Sequence, residues 1–279
     1  MQFIFFGSPE FAKIILEKLI NAAYIPAIVV CNPDRPVGRK KIITPPPVKV
    51  LAEKHNIKVY QPEKLEIKNF KLEIGEIDFA IVAAYAKIIK QEVLDIPKLG
   101  TIGTHPSLLP KYRGSSPIQS QILSGDQTIG TTLYLMDAGM DSGPILAQQK
   151  LNNYQLTDKF SDTLNKLANL SGDLLIETLP KFLTNEIKPQ EQDHALATFT
   201  KKFTTQDAFI EPTGLETAIN SGGGIAEKIY NKIRALNPEP GTWTIKENKR
   251  MKILEAELTS GNKLKLKVIH FEGKLPQTI

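Results

Sequence analysis

The chain has 279 residues, of which 41% are hydrophobic and 23% charged, and its formal net charge is +5. This length exceeds what one hydrophobic core usually organises, so we expect one large domain and a smaller one. The composition excludes the disordered and fibrous classes. The only cysteine, Cys31, excludes an internal disulfide and a cysteine metal cage, and it favours a cytoplasmic location. No stretch has the pattern of a signal peptide or the length of a membrane span.

The positive charge lies mostly in the C-terminal part. Residues 201–279 hold thirteen Lys and Arg against nine Asp and Glu, whereas residues 1–200 hold 22 against 21. Such a surplus is expected where a domain contacts a polyanion such as nucleic acid. A lysine-rich solvated surface explains it as well, and on charge alone this second interpretation is the better one.

Short runs rich in Ile, Val and Phe alternate with helical patterns through the first half of the chain, which predicts βαβ units and a mostly parallel sheet. After the first strand, Ser8 is a predicted N-cap and Pro9 a first-turn residue of a helix. Gly7 is the only glycine at this turn, so the G-x-G-x-x-G pattern is absent and we exclude NAD. The predicted strands are 3–6, 27–31, 58–60, 79–84, 101–104, 131–136 and 145–150.

A connection over residues 32–49 contains five prolines and five Lys or Arg residues. It is too long for an ordinary βα turn. The three prolines 45–47 predict an extended arm that leads Val48 into the next helix. Its cations are positioned to meet phosphates, although a mobile surface loop fits the sequence equally well.

The apolar spacing over residues 157–184 predicts one long amphipathic helix. Residues 185–200 are polar and are predicted to be a linker. The last part combines short alternating stretches with one helical segment at 225–236, which predicts a small β-barrel with a single helix. We therefore divide the chain into a catalytic domain 1–184, a linker 185–200 and a C-terminal domain 201–279.

Among the four histidines, His105 is the candidate for catalysis. It follows a predicted strand and precedes a proline-bounded turn, and the carboxyl ends of parallel strands face the ligand crevice in open α/β folds. A glycine-containing loop over residues 137–144 brings Asp141 toward the same edge. A carboxylate beside a histidine orients the ring and stabilises its charged form.

Eight segments of the sequence share an order with a known family, and they are 7–11, 32–39, 44–54, 83–87, 105–114, 136–143, 232–243 and 271–276. Over nearly the whole chain, they resemble the methionyl-tRNA formyltransferase family. It implies a Rossmann-like formyltransferase catalytic domain followed by an OB-like C-terminal barrel that binds tRNA. It also implies 10-formyltetrahydrofolate as co-substrate and the amine of initiator methionyl-tRNA as acceptor.

The resemblance assigns roles to residues of this chain. His105 donates to the oxyanion that forms when the amine attacks the formyl carbon, and Asp141 accepts the amine proton through a water. The turn that lines the folate site consists of Ser107, Leu108, Leu109 and Pro110. The residues expected to contact tRNA phosphates are Arg35, Arg39, Lys40 and Lys41.

One position departs from the family pattern, which reads Asn-x-His. Here Gly103 occupies the place of the asparagine, whose amide is a second oxyanion donor. Losing such a donor costs roughly 10²–10³ in turnover. The Thr104 hydroxyl, a backbone N–H or an ordered water is expected to replace it in an active enzyme.

Three other functions compete. A sugar-nucleotide formyltransferase would share His105 and Asp141, but it has little use for a basic arm. A folate- or RNA-binding relative with reduced activity would explain Gly103, and a formyl-folate hydrolase would use water in place of the amine. We expect no metal site, because no ligand cluster appears, and we expect a monomer.

Overall fold

The computed structural model describes residues 1–38, 40–65 and 75–279. The strands are β1 Phe3–Gly7, β2 Ile28–Val30, β3 Arg35–Val37, β4 Ile42–Thr44, β5 Lys58–Tyr60, β6 Phe79–Ala83, β7 Thr101–His105, β8 Arg113–Gly114, β9 Gly130–Leu135, β10 Ile145–Lys150, β11 Phe199–Thr200, β12 Trp243–Lys246, β13 Lys249–Leu258, β14 Leu264–Phe271 and β15 Gln277–Thr278. The helices of the described residues are α1 Glu10–Asn21, α2 Pro47–Lys54, α3 Gln91–Leu94, α4 Pro117–Ser124, α5 Phe160–Leu183, α6 Pro212–Asn220 and α7 Gly224–Leu236.

The chain folds into two compact units. The first unit contains Met1–Arg113, Gly130–Leu151 and Asn165–Thr198, and the second contains Gly114–Ile129, Asn152–Leu164 and Phe199–Ile279. The boundaries at 184 and 200 that the sequence indicates for the domains remain a prediction.

The first unit is built on a seven-stranded sheet in the order β10-β9-β7-β6-β1-β2-β5. The neighbours from β5 to β7 are parallel, whereas β9 is antiparallel to both β7 and β10. All seven strands predicted from the sequence are present, and the prediction of a mostly parallel sheet is confirmed. Strands β1, β6 and β7 are buried along their whole length, as the continuous apolar runs of a covered parallel sheet require.

The turn after β1 differs from its prediction in one detail. The helix α1 begins at Glu10 with Pro9 as its N-cap residue, and no side chain caps it. The Ser8 hydroxyl instead accepts a hydrogen bond from the Asn32 backbone N–H at 3.0 Å, which joins the carboxyl ends of β1 and β2. Gly7 is required here, because a Cβ would lie 2.6 Å from the Cβ of Ala12.

The long predicted helix is confirmed as α5. In the first unit it packs against the sheet through buried leucines and places Ser171 beside β9, where its hydroxyl lies 2.6 Å from that of Thr131. No helix in the described ranges has the length and apolar composition that crossing a membrane requires.

The second unit contains an antiparallel sheet in the order β12-β13-β14-β15. Buried residues of α7, such as Ile233, pack with Ile253 of β13 and Ile269 of β14. The antiparallel sheet is confirmed, but the expectation of a single helix is wrong, since α6 precedes α7 in this unit. Gly214 and the polar residues of α6 obscure its helical pattern in the sequence. Closure of the sheet into a barrel remains a prediction.

Candidate active site

His105 is the last residue of β7 and is 5% exposed. Its Nε2 lies 2.8 Å from the backbone carbonyl oxygen of Tyr112. A carbonyl only accepts hydrogen bonds, so Nε2 carries a hydrogen and donates it. Its Nδ1 lies 3.6 Å from Oδ2 of Asp141. The structure therefore brings together the histidine and the carboxylate that were predicted from the sequence, and Nδ1 is the ring atom that faces the carboxylate.

Asp141 lies in the loop between β9 and β10 with a backbone φ of 50°. This left-handed conformation is uncommon for residues other than glycine, and aspartate tolerates it better than most. Oδ1 of Asp141 accepts a hydrogen bond from the Tyr134 hydroxyl at 2.6 Å. The Asp141 carboxylate thus contacts groups on two strands. Its Oδ1 binds the phenol on β9, and its Oδ2 lies near the imidazole on β7.

Gln192 fixes the backbone of the same loop, and no functional role was predicted for this residue. Its Nε2 donates to the carbonyl oxygens of Asp141 at 3.0 Å and Gly143 at 2.7 Å. Gly143 itself is packed so closely that a Cβ would lie 1.8 Å from the carbonyl oxygen of Leu135. Gln192 lies in the segment predicted to be a linker, yet its side chain is buried.

Gly103 lies directly opposite Tyr134 in the β7–β9 ladder. The Tyr134 ring is 3% exposed and covers the glycine. Burial, then the charge of Asp141 and the hydrogen bond to it, raise the pKa of the Tyr134 phenol well above its usual value, so the phenol keeps its proton. The Thr104 hydroxyl donates to the Val82 carbonyl oxygen at 3.1 Å. A hydroxyl has one hydrogen, and Thr104 donates it to Val82. The Thr104 hydroxyl therefore does not replace the donor of an amide at position 103.

The turn after His105 is held by protein hydrogen bonds. The backbone N–H of Leu109 donates to the Thr132 hydroxyl at 3.0 Å, and its carbonyl oxygen accepts from Gln148 at 2.7 Å. Ser107 is fully buried, and its hydroxyl donates to the Lys111 carbonyl oxygen at 2.7 Å. Ser107 and Leu109 therefore shape the turn, while Leu108 and Pro110 are partly exposed.

The basic arm contains the antiparallel strands β3 and β4, which pair Arg35 with Thr44. At its base, Lys49 donates to Oδ2 of Asp34 at 2.9 Å, and Gln61 donates to the other carboxylate oxygen at 2.8 Å. These partners, with Gln61 first, hold the pKa of Asp34 below its usual value.

The predicted phosphate contacts in this arm are exposed at Arg35, Lys40 and Lys41, while Arg39 lies outside the described residues. The predicted entry into α2 is confirmed, because the helix begins at Pro47 and Val48 is fully buried. Within the part of the chain that the structure describes, no three His, Cys, Asp or Glu side chains are grouped so as to hold a metal ion.

Comparison with protein families places these features in a known context. Residues 1–179 match the model of the formyl transferase family, and residues 225–275 match that of the formyl transferase C-terminal domain. A methionyl-tRNA formyltransferase of Halalkalibacterium halodurans is 40% identical over 265 residues, which are 94% of this chain and 80% of that protein. One of Staphylococcus aureus is 39% identical over 269 residues, covering 94% and 81%.

Solved structures support the same fold at lower identity. A methionyl-tRNA formyltransferase from Clostridium thermocellum has a TM-score of 0.61 and 19% identity, covering 97% of this chain and 98% of its own. An N-formyltransferase from Helicobacter canadensis, in complex with folinic acid and dTDP-3-aminofucose, has a TM-score of 0.63 and 21% identity, covering 93% and 88%. The family models and the curated relatives together show that this chain belongs to the methionyl-tRNA formyltransferase family.

Proposed function

We propose that this protein transfers the formyl group of 10-formyltetrahydrofolate to the amino group of methionyl-tRNA(fMet), in the cytoplasm, for translation initiation. The observation that carries the proposal is the approach of His105 Nδ1 to Asp141 Oδ2 at 3.6 Å, at the carboxyl end of a strand in a formyltransferase domain. Relatives named methionyl-tRNA formyltransferase at 38–40% identity support the choice of acceptor.

In the proposed reaction the lone pair of the methionyl amine forms a bond to the formyl carbon. The π electrons of the formyl group move to its oxygen, so a negative charge appears there and needs a nearby donor. We assign this donation to His105. Since Nε2 donates to the Tyr112 carbonyl oxygen, donation to the oxyanion requires a hydrogen on Nδ1, the ring nitrogen that faces Asp141.

The attacking nitrogen must lose a proton as the new bond forms. We assign its acceptance to Asp141, through a water, because this carboxylate faces the same ring nitrogen of His105. When the oxyanion collapses, the C=O bond forms again and the bond from the formyl carbon to N10 of the folate breaks. N10 takes up a proton, and the products are tetrahydrofolate and formyl-methionyl-tRNA.

The co-substrate is placed on the turn 107–110. Leu108 and Pro110 offer partly exposed apolar surface for a pterin, on a backbone that Thr132 and Gln148 hold through Leu109. The buried Ser107 contributes by stabilising the conformation of the turn. The folinic acid bound to the Helicobacter canadensis N-formyltransferase supports a folate in this fold.

The positive charge of the β3–β4 arm supports tRNA as the acceptor. Arg35, Lys40 and Lys41 are exposed on the β3–β4 arm, and Arg39 belongs to the same stretch of sequence. A tRNA acceptor stem presents phosphates along its length, which such cations bind without reading sequence. A sugar nucleotide has only the two phosphates of its diphosphate, so it would contact fewer of these cations.

The test is a formylation assay with 10-formyltetrahydrofolate and four acceptors: initiator methionyl-tRNA, uncharged initiator tRNA, a 4-amino-sugar nucleotide and water alone. We expect formyl-methionyl-tRNA as the only formylated product, and none from the His105→Ala variant. A formylated sugar nucleotide would contradict the proposed acceptor and would indicate a sugar-nucleotide formyltransferase. Release of formate without an acceptor would indicate a hydrolase, and folate binding without any turnover would indicate a non-catalytic relative.

A further inference from the structure

The backbone conformation does not explain why residue 103 is a glycine. Its φ lies outside the left-handed region that favours glycine, and it lies inside a regular strand with parallel and antiparallel neighbours. Glycine in a strand interior weakens the strand unless another group approaches closely. At this position the approaching group is Tyr134. A Cβ on residue 103 would lie 2.4 Å from Cε1 of the tyrosine, 2.5 Å from Cζ and 2.9 Å from the hydroxyl oxygen.

The hydroxyl of Tyr134 therefore occupies the space of a side chain at position 103. An asparagine there would hold its amide within about 2.5 Å of its own Cβ, by ordinary bond lengths and angles. The tyrosine oxygen lies 2.9 Å from the same Cβ position, which is within the reach of such a side chain. The two side chains therefore exclude each other.

The tyrosine hydroxyl is directed at the proposed reaction centre. It donates to Oδ1 of Asp141 at 2.6 Å, while the other oxygen of this carboxylate faces His105. A phenylalanine would fill the same volume without a buried hydroxyl that needs a partner. The hydrogen bond from the phenol also fixes the direction of a carboxylate in a loop of uncommon backbone conformation.

We propose that Gly103 and Tyr134 are a matched pair in which the tyrosine ring takes the space of a side chain at position 103 and its hydroxyl orients Asp141 for proton transfer. This inference rests on the proposed formyl transfer. Tyr134 is a positioning residue in this assignment, since its contact is with Asp141, and Gly103 provides the space that the ring needs.

The first test removes only the hydroxyl. Tyr134→Phe is expected to lower kcat of methionyl-tRNA formylation about tenfold to a hundredfold, the range of one hydrogen bond to a charged group. The KM for methionyl-tRNA and the Kd for folate should change less than threefold. Tyr24→Phe, three residues after the end of α1, is the control and should retain wild-type kcat. A Tyr134→Phe enzyme with wild-type kcat would show that the ring only fills space and would overturn the proposal.

The second test exchanges the two arrangements. Gly103→Asn is expected to lower kcat because its side chain collides with the tyrosine ring, and Tyr134→Val is expected to lower kcat because the hydroxyl is lost. The double variant combines an amide at 103 with room to hold it, so its kcat should exceed that of both single variants by tenfold or more. A double variant no faster than the slower single variant would contradict the exchange.

A third measurement keeps this inference separate from the proposed function. If the wild-type protein formylates no acceptor, the proposed function fails, and the pair is then tested by thermal unfolding. Gly103→Ala should lower the Tm by several degrees in the wild-type background and leave it nearly unchanged in the Tyr134→Val background. Equal losses in both backgrounds would show that the two residues do not share this space.

Discussion

Gln192 and Arg113 form a buried pair although 79 residues separate them in the chain. Oε1 of Gln192 accepts from Nη2 of Arg113 at 2.6 Å and from Nε at 3.1 Å. The amide nitrogen of the same side chain donates to the carbonyl oxygens of Asp141 and Gly143. One side chain thus connects the end of the turn after His105 to the loop that carries Asp141. Misplacing a catalytic group by about 1 Å can cost 10²-fold in rate, so this connection matters for the proposed chemistry.

We expect Gln192→Ala to lower kcat of formylation by about a hundredfold, because the Asp141 loop loses two hydrogen bonds. The free energy of unfolding should fall by about 1–3 kcal/mol, since the Arg113 guanidinium and two carbonyl groups lose their partner. Stopped assays and denaturant unfolding measure both effects. Gln149→Ala, at an exposed position of β10, is the control and should behave as the wild type. Unchanged kcat in Gln192→Ala would mean that the loop holds its conformation without this amide.

The variants His105→Ala and Asp141→Asn should each lower formylation by at least about 10²-fold, the range of a general acid or base. Both should leave the far-ultraviolet circular dichroism spectrum unchanged, because each removes a side-chain group at the end of a strand or in a loop. Single-turnover kinetics with saturating folate and methionyl-tRNA separate the chemical step from binding. Wild-type rates in either variant would refute the roles proposed for this pair.

Much of the first unit could be predicted from the sequence. Strands 58–60 and 145–150 were predicted with the bounds that β5 and β10 have in the structure. The approach of Asp141 to His105 was predicted as well, from the glycine-containing loop between two late strands. The predicted route differs, because the antiparallel pairing of β9 with β7 places the end of β9 beside Ile102 rather than beside His105. Each of these predictions depends on a local pattern or on a general rule of topology, so a single sequence is enough.

The contacts that complete the site depend on register and on distant pairing. Tyr134 was predicted as a strand residue, but only the alignment of β7 with β9 places it opposite Gly103. Gln192 lies in a polar stretch without periodicity, and a bridge between Ile145 and Gln190 brings that stretch to the sheet. The β3–β4 pairing was not predicted, because Pro36 argues against a strand unless the strand is short and at an edge.

Cys31 should be unreactive in the folded protein. Burial raises the pKa of its thiol to about 12, and its side chain, directly after β2, is fully buried. Only the thiolate is nucleophilic, so the reactive fraction stays small from pH 7 to pH 9 and grows only as the pH approaches the raised pKa. Iodoacetamide at pH 8 is expected to add no mass to the native protein and one carbamidomethyl group in denaturant, as measured by intact mass spectrometry. Modification of the native protein at the rate of a free thiol would contradict this burial.

The exposed cations of the β3–β4 arm provide the sharpest test of the acceptor. Replacing Arg35, Lys40 and Lys41 together by alanine should raise the KM for methionyl-tRNA at least tenfold and leave the Kd for folate unchanged. Each phosphate contact contributes about 0.9 to the slope of log K against log salt on a duplex. The triple variant should therefore lose between one and three units of slope, according to how many of the three cations contact phosphates.

The double variant Lys150→Ala/Lys181→Ala removes exposed charge elsewhere in the first unit and serves as the control. Its KM for methionyl-tRNA and its salt slope should stay close to those of the wild type. Arg39→Ala extends the series to the arm residue outside the described ranges, and we expect it to weaken tRNA use in the same way. If the triple variant keeps the wild-type KM and slope while the enzyme still formylates methionyl-tRNA, the arm does not bind the phosphates. The basic residues of the C-terminal domain would then be the ones to replace next.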